Sequence, residues 1–457
     1  MRAHPTHTMI FPVEVLSSIV RQATLVPEVL DTSPSIYFEN HDAVIRGYCD
    51  SMKTKVSLSL VSKTFHNVME TYLYEVVMIF RFQYVPTLLQ RLHSISPAST
   101  TPRGHRCRRL DLYLGVGSIP YDEEAWYEGG HTLWGLVPAC PNLEILVARV
   151  IRSKLYMPCL THKALWKTIA VCCAKTIRRL DLFGLGIRMD RVEMMLRHLT
   201  KLEACSIGHV TKFDPLKDIY DDEEPKQRVI SYGRCYAPIV FEDDWDYSTP
   251  SGYFNPLTVS EFKAAKTDSC WPPFTTSAPY TLPHLHTLRL DDFDSERMTQ
   301  FNFPRLRHLD MFCFSKIEYL SSSRGSIPDS LTHLTYAGRS ASIAQIIGFF
   351  PQLRFLNLPI EYCEFPDSHF TNPHACLEVV ELATWYCFFD PKPQIKEILV
   401  AVQNRNLPSL RMIQVTRPGK CAVFDDLFPD EKIESAALGL TLQVVIRKRP
   451  IFSFLAR

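Results

Sequence analysis

The sequence predicts an α/β fold: an all-helical N-terminal module followed by an irregular solenoid, with parallel strands on one face and helices on the other. Three observations carry that expectation. A Leu-x-x-Leu-x-Leu pattern recurs along most of the 457 residues. Amphipathic helical stripes precede several copies, and Pro141, Pro283, Pro304, Pro351 and Pro408 each stand two residues before a first motif leucine. Internal repetition decides an architecture more strongly than any single local motif.

In chain order, residues 1–9 read as a disordered tail and residues 10–75 as a helical module. Pro12 suits a first helical turn, where its missing N–H has no partner to lose, and Glu14 complements the same end of the dipole. Leu16, Ile19, Val20 and Ala23 then fall at helical spacing on one apolar face. A second helical piece, 58–75, is expected to stripe through Val61, Phe65, Val68 and Tyr72. Between the two pieces, 24–54 reads as an insertion. Short helices with more apolar surface than they can bury among themselves point to a docking module.

Residues 76–104 form a connector, with a short strand over 76–80 and a helix over 85–93. The solenoid is expected over 105–457. Its motif copies start at Cys107, Leu143, Ile177, Leu202, Leu285, Leu306, Leu331, Leu353, Leu377 and Leu410. Most spacings lie in or near the range of roughly 20 to 29 residues found in leucine-rich repeats, which the unit resembles. Stripes such as Val192, Met195, Leu196, Leu199 and Ile395, Ile398, Leu399, Val402 mark helices that hand over to strands. Proline at the hand-over stops helical propagation and tolerates the start of a strand. The residues 440–447 alternate apolar and polar and predict a last strand. Residues 211–280 break the register. They carry the runs Asp221-Asp222-Glu223-Glu224 and Glu242-Asp243-Asp244 together with many aromatics. They are either an insertion whose Trp245, Tyr247 and Trp271 pack back on the solenoid, or an over-long loop hiding one or two degenerate repeats.

The N-terminal residues carry a second resemblance. Phe11-Pro12-x-Glu14-Val15-Leu16-x-x-Ile19, followed by Leu60-Val61-Ser62-Lys63-x-Phe65 and Tyr72-Leu73-Tyr74-Glu75, resembles an F-box. Phe11 stands where that family usually has Leu, Ser62 where Cys is common and Phe65 where Trp is typical. The resemblance implies binding to a Skp-type adaptor, and through it to a cullin scaffold. The implied contacts are Phe11, Pro12, Val15, Leu16, Ile19, Leu60, Val61, Lys63, Phe65 and Leu73.

Composition narrows the remaining choices. A net charge of +1 gives no electrostatic reason to expect nucleic acid or an anionic membrane as partner. No apolar run approaches the roughly 18 residues of a membrane span, and Pro12 with Glu14 interrupts the only stretch resembling a signal-peptide core, so cytoplasm or nucleus is expected. The 14 cysteines include no Cys-x-x-Cys and read as reduced core thiols. No phosphate-binding loop, nucleophile elbow or paired-histidine zinc motif occurs, so no cofactor and no metal are expected.

The strand pattern nominates a surface instead. Residues between the motif leucines point away from the core and form columns on a concave face. Arg179, Asp181, Phe183, Arg289, His308, Asp310, Phe312, Phe355 and Glu381 are the candidate partner contacts. The expected function is a non-catalytic substrate-recognition subunit of a Skp-cullin-F-box E3 ubiquitin ligase, holding its adaptor with the N-terminal helices and a target protein with the solenoid. Two alternatives stand beside it: a repeat scaffold with no ligase role whose helices cap the solenoid, and an enzyme with an active site in the insertion.

Overall fold

The structure, a computed structural model, describes residues 12–32, 41–80, 84–95, 100–115, 135–151, 159–160, 169–182, 185–207, 210–211, 279–291, 301–312, 327–337, 343–359, 372–384, 390–418 and 428–447. Phe11, Phe183, the tail 1–9 and nearly all of 211–280 lie outside them. Helix α1, Val13–Thr24, starts from Pro12, whose carbonyl accepts the N–H groups of Val15 and Leu16 at 3.0 and 3.1 Å. Its buried stripe is Leu16, Val20 and Thr24, so Ile19, expected on that face, points to solvent.

The segment read as an insertion is largely helical. It forms a 3-10 turn, Pro27–Leu30, and α2, His41–Ser59. The expected helix over 58–75 is correspondingly shorter. Helix α3, Lys63–Leu73, begins at Ser62, whose side-chain oxygen accepts the Phe65 N–H at 3.2 Å, a cap that satisfies one of the orphan donors of the first turn. Leu60 and Val61 thus sit in the turn between α2 and α3. A small core of Val20, Val68, Met69 and Tyr72, flanked by Leu58 and Phe65, joins α1 to α3. Around it polar side chains close backbone gaps: Ser51 donates to the Thr24 carbonyl at 2.5 Å and Lys55 to the Tyr72 carbonyl at 3.0 Å.

A 12-stranded sheet, accompanied by a two-stranded and a three-stranded sheet of short strands, runs through the rest of the described chain with its strands in strict chain order. The strands are β1 Val76–Ile79, β2 Arg109–Gly115, β3 Ile145–Ile151, β4 Arg179–Leu182, β5 Ala204–Ile207, β6 Thr287–Asp291, β7 His308–Phe312, β8 His333–Ala337, β9 Phe355–Pro359, β10 Val379–Ala383, β11 Met412–Pro418 and β12 Thr441–Arg447. Every neighbouring pair is parallel. The strand over 76–79, expected as part of a connector, is the first strand of this sheet.

Register follows the motif, because a period of two leaves a half-buried strand only one way to face. Leu110, Leu146, Leu180, Cys205, Leu288, Leu309, Leu334, Leu356, Val380 and Ile413 occupy equivalent positions, all at most 1% exposed. They share one continuous core that runs from Val77 to Leu440. Helices close it on the same side: α4 Val85–His93, α5 Leu136–Ala139, α6 Met189–His198, α7 Ile343–Phe349, α8 Lys392–Gln403 and α9 Pro429–Ala437. In α6 the predicted stripe of Val192, Met195, Leu196 and Leu199 is buried throughout. Strand β5 bonds directly to β6, Cys205 opposite Leu288, so no strand from 211–280 enters the sheet between them.

The hand-over prolines have a sharper role than stopping a helix. Pro141, Pro304, Pro351 and Pro408 each occupy the second position of a tight turn, closed by N–H donation from Leu143, Leu306, Leu353 and Leu410 to the carbonyl three residues back, at 3.0 to 3.3 Å. Proline pre-sets the φ that position requires. Beyond each turn, one residue per strand carries a doubly used carbonyl. Glu75, Arg108, Glu144, Arg178, Glu203, His286, Arg307, Thr332, Arg354 and Glu378 each accept two successive N–H groups from the next strand. Their side chains form a column of their own. Arg108 bonds Glu144 at 2.8 Å, Arg178 bonds Glu203 at 2.8 Å and Arg354 bonds Glu378 at 2.8 Å. No described helix is long and apolar enough to cross a membrane.

Candidate functional site

Two surfaces hold the residues nominated by the sequence. The first is the outer side of the N-terminal helices. Val15 and Ile19 on α1 are 42% and 49% exposed, and Leu60 and Val61 in the following turn are 80% and 64% exposed. Val13 adds to the same helix at 56%. Pro12 and Lys63 are also exposed, Leu73 is half-buried, and Leu16 lies inside the module. Phe65 packs against the α1–α3 core. Exposed valines and leucines at these fractions leave apolar area in water that a partner could cover, whereas Leu16 and Phe65 serve by shaping the helices beneath.

The second surface is the face of the sheet opposite the motif leucines. Strand register aligns the predicted columns as expected: Asp111, Asp181, Arg289, Asp310, Asn357 and Glu381 follow one line, and Arg109, Arg179, His308, His333 and Phe355 the next. Their expected exposure is not what the structure has. Arg109, Asp111, Arg179, Asp181, Arg289 and Glu381 are at most 4% exposed. His308, Asp310 and Phe355 are half-buried, and the Phe312 side chain lies outside what is described.

At the N-terminal end, the cover is the segment that the sequence presented as an insertion. Val29 from the 3-10 turn and Val44 and Tyr48 from α2 pack on Val76 of β1, with Met52 and Met78 beside them. Arg109 makes two 2.7 Å bonds to Asp111 and donates a third, 2.6 Å, to the Val29 carbonyl. Tyr48 donates to the Val76 carbonyl at 3.3 Å. Thr32 donates to Glu203 at 2.7 Å. Burial pushes the Arg179 guanidinium down to about 9, against the opposing pull of Asp181 and Asp31. A buried ion pair pays back its desolvation only with such geometry and extra bonds, and its specific use is to fix how parts fit together. A second tie joins α3 to the turn Arg103–Arg106: buried Glu70 pairs with Arg103 at 2.6 Å. In that turn a Cβ on Gly104 would run into the Ala139 carbonyl, so the close approach requires glycine.

Past the covered part, planar rings stand in line. The His308 and His333 rings stack with centroids 4.0 Å apart, and Phe355 follows at 5.6 Å. Burial, then the positive fields of His333, His286 and Arg307, pushes His308 down to about 3. Further along, Glu381 accepts from Asn357 at 3.0 Å and from Thr416 at 2.6 Å, tying β9, β10 and β11 together. Beside Asp31 and Thr32, an open cleft of about 770 Å³ is lined by these two residues with Glu203, His286, Arg305 and Arg307. His284, Pro304, His308 and Ser330 complete it.

No protein-family model matches the chain. No curated protein matches it either. Among the described residues, no group of three His, Cys, Asp or Glu side chains is placed to hold a metal ion.

Sequence reasoning missed Tyr48, Lys55, Glu70, Arg103 and the cleft arginines. A signal for the last was present: aligning the motifs places Glu75, Arg108, Glu144, Arg178 and Glu203 in one column of alternating charge, with Arg307 further along it.

Proposed function

We propose that the chain is the substrate-recognition subunit of a Skp-cullin-F-box E3 ubiquitin ligase, an F-box joined to leucine-rich repeats, working in the cytoplasm or nucleus. The observation that carries this reading is the exposed apolar set of Val15 and Ile19 on α1 with Leu60 and Val61 in the turn between α2 and α3, in a module bonded to the strand array. These coincide with the positions through which the F-box resemblance implies adaptor contact. Such a receptor contributes no catalytic side chain. It raises the effective concentration of a target near a ubiquitin-charged enzyme, and a fixed module-to-sheet junction favours that by limiting the orientations to be searched.

A second reading has its own support. Val76 and Met78 on the first strand lie beneath α2 and the 3-10 turn, which is what a capping element of a repeat scaffold would do. Co-expression with a Skp-type adaptor separates the two. Binding by the wild-type chain, lost in the Val15→Asp, Ile19→Asp double variant with an unchanged thermal melt, is expected of the ligase subunit. Absence of adaptor from the wild-type preparation, or its retention by the double variant, would leave the scaffold.

A further inference from the structure

Within the column of doubly used carbonyls, arginines elsewhere meet a glutamate on an adjacent strand: Arg108 with Glu144, Arg178 with Glu203, Arg354 with Glu378. Arg307 breaks that pattern. Its neighbours in the column, just before β6 and β8, are His286 and Thr332, neither of them anionic. Arg305, two residues earlier, projects into the same cleft. Both arginines are exposed and make no ion pair among the described residues. Of the two carboxylates that line the cleft, Glu203 is engaged by Arg178 at 2.7 Å and Thr32 at 2.7 Å, and Asp31 lies in the field of the buried Arg179 guanidinium. The cleft therefore has two arginines that no described carboxylate pairs with, and imidazoles and the Ser330 hydroxyl beside them as further hydrogen-bonding groups.

Its extent suits a short stretch of chain. The lining runs from the residue before β5 to the residues before β8, three strand spacings, or about 14 Å at ~4.8 Å each. An extended peptide covers that length with about four residues. We propose that this cleft binds an acidic peptide segment of a target protein, with Arg305 and Arg307 paired to its carboxylate or phosphoryl groups and His286, His308 and Ser330 as additional polar contacts. The proposal deepens the target-holding role above and does not depend on which adaptor is used. Guanidinium pairs with these anions bidentately, which adds geometry to charge. A ligand here also touches Asp31 and Thr32, so it bridges the N-terminal segment and the sheet.

The test is fluorescence anisotropy on the full chain with three labelled hexapeptides: glutamate-rich, phosphoserine-containing and uncharged Gly-Ser. The acidic peptides are expected to bind and the uncharged one not to. Whichever acidic peptide binds more tightly identifies carboxylate or phosphoryl as the preferred source. Arg305→Ala with Arg307→Ala is expected to weaken binding at least ~10-fold, and Arg307→Glu to abolish it, since each lost charge-assisted pair removes about a decade or more. Loss of exposed cations elsewhere, Lys392→Ala with Arg405→Ala, is expected to change nothing. Acidic peptides that fail to bind, or bind the arginine variants as they bind the wild type, overturn the proposal. So does an equal loss in the Lys392, Arg405 control. Adaptor co-purification reads a different surface, the outer side of α1 and the turn after α2, so a negative peptide result leaves the ligase reading standing.

Discussion

His308 shows how far one side chain can be moved by its neighbours. Its ring stacks on His333 and lies near His286 and Arg307, and burial with those positive fields leaves it neutral down to about pH 3. The unfolded chain binds that proton at about 6.5. Stability from this group is therefore complete above about pH 6.5 and declines as pH falls toward 3, because the unfolded state takes up the proton first. His333 and His286 shift in the same direction and add to the slope. Thermal melts between pH 7.5 and 4.5 should show a falling midpoint for the wild type and a shallower fall for His308→Gln; parallel curves would mean the ring stack has no part in it.

Elements differ in how plainly the sequence announced them. The strands were legible because motif residues at period two admit one facing, and Leu356 or Val380 has nowhere else to go. Helix α2 was not. Its buried positions, Val44, Tyr48, Ser51 and Lys55, do recur at helical spacing, but two of the four are polar and find backbone carbonyls instead of apolar neighbours. A stripe of that composition reads as a loop. The exposed columns failed for the same reason: nothing in 24–54 signalled that it would lie on β1 and β2. Its attachment can be tested. Arg109→Ala strands Asp111 without its cation and frees the Val29 carbonyl, with an expected cost of about 3–5 kcal/mol in denaturant unfolding. The double variant Arg109→Met, Asp111→Leu should recover most of that, while hydrogen exchange over 26–32 stays faster than in the wild type.

At the scale of the molecule, the candidate sites lie at the two ends of one mechanical path. The apolar outer side of α1 connects through the Tyr72 core, Lys55 and the Arg109 node to the sheet, and from there to the cleft beside Thr32. The columns that line this path were readable in outline from the repeat; the pairings that rigidify it were not, since partners such as Thr32 and Glu203 are 171 residues apart. Direct bonding of β5 to β6 makes a separate prediction. Replacing 212–278 by a short Gly-Ser linker should preserve the circular dichroism spectrum and a cooperative melt; loss of the transition would show that the segment is needed to hold the two strands together.

That same junction has a consequence for synthesis. Eleven strand pairs join neighbours in order, so each new strand can add to a template already made. Between Ile207 and Thr287 the template must wait while the ribosome delivers the intervening chain, about 4–16 s at ordinary elongation rates. For that interval β5 presents a growing end with open N–H and C=O groups, the kind of edge that recruits any strand within reach. The nascent protein is most exposed to mispairing at its middle, after the first five strands have closed and before the second block of strands exists.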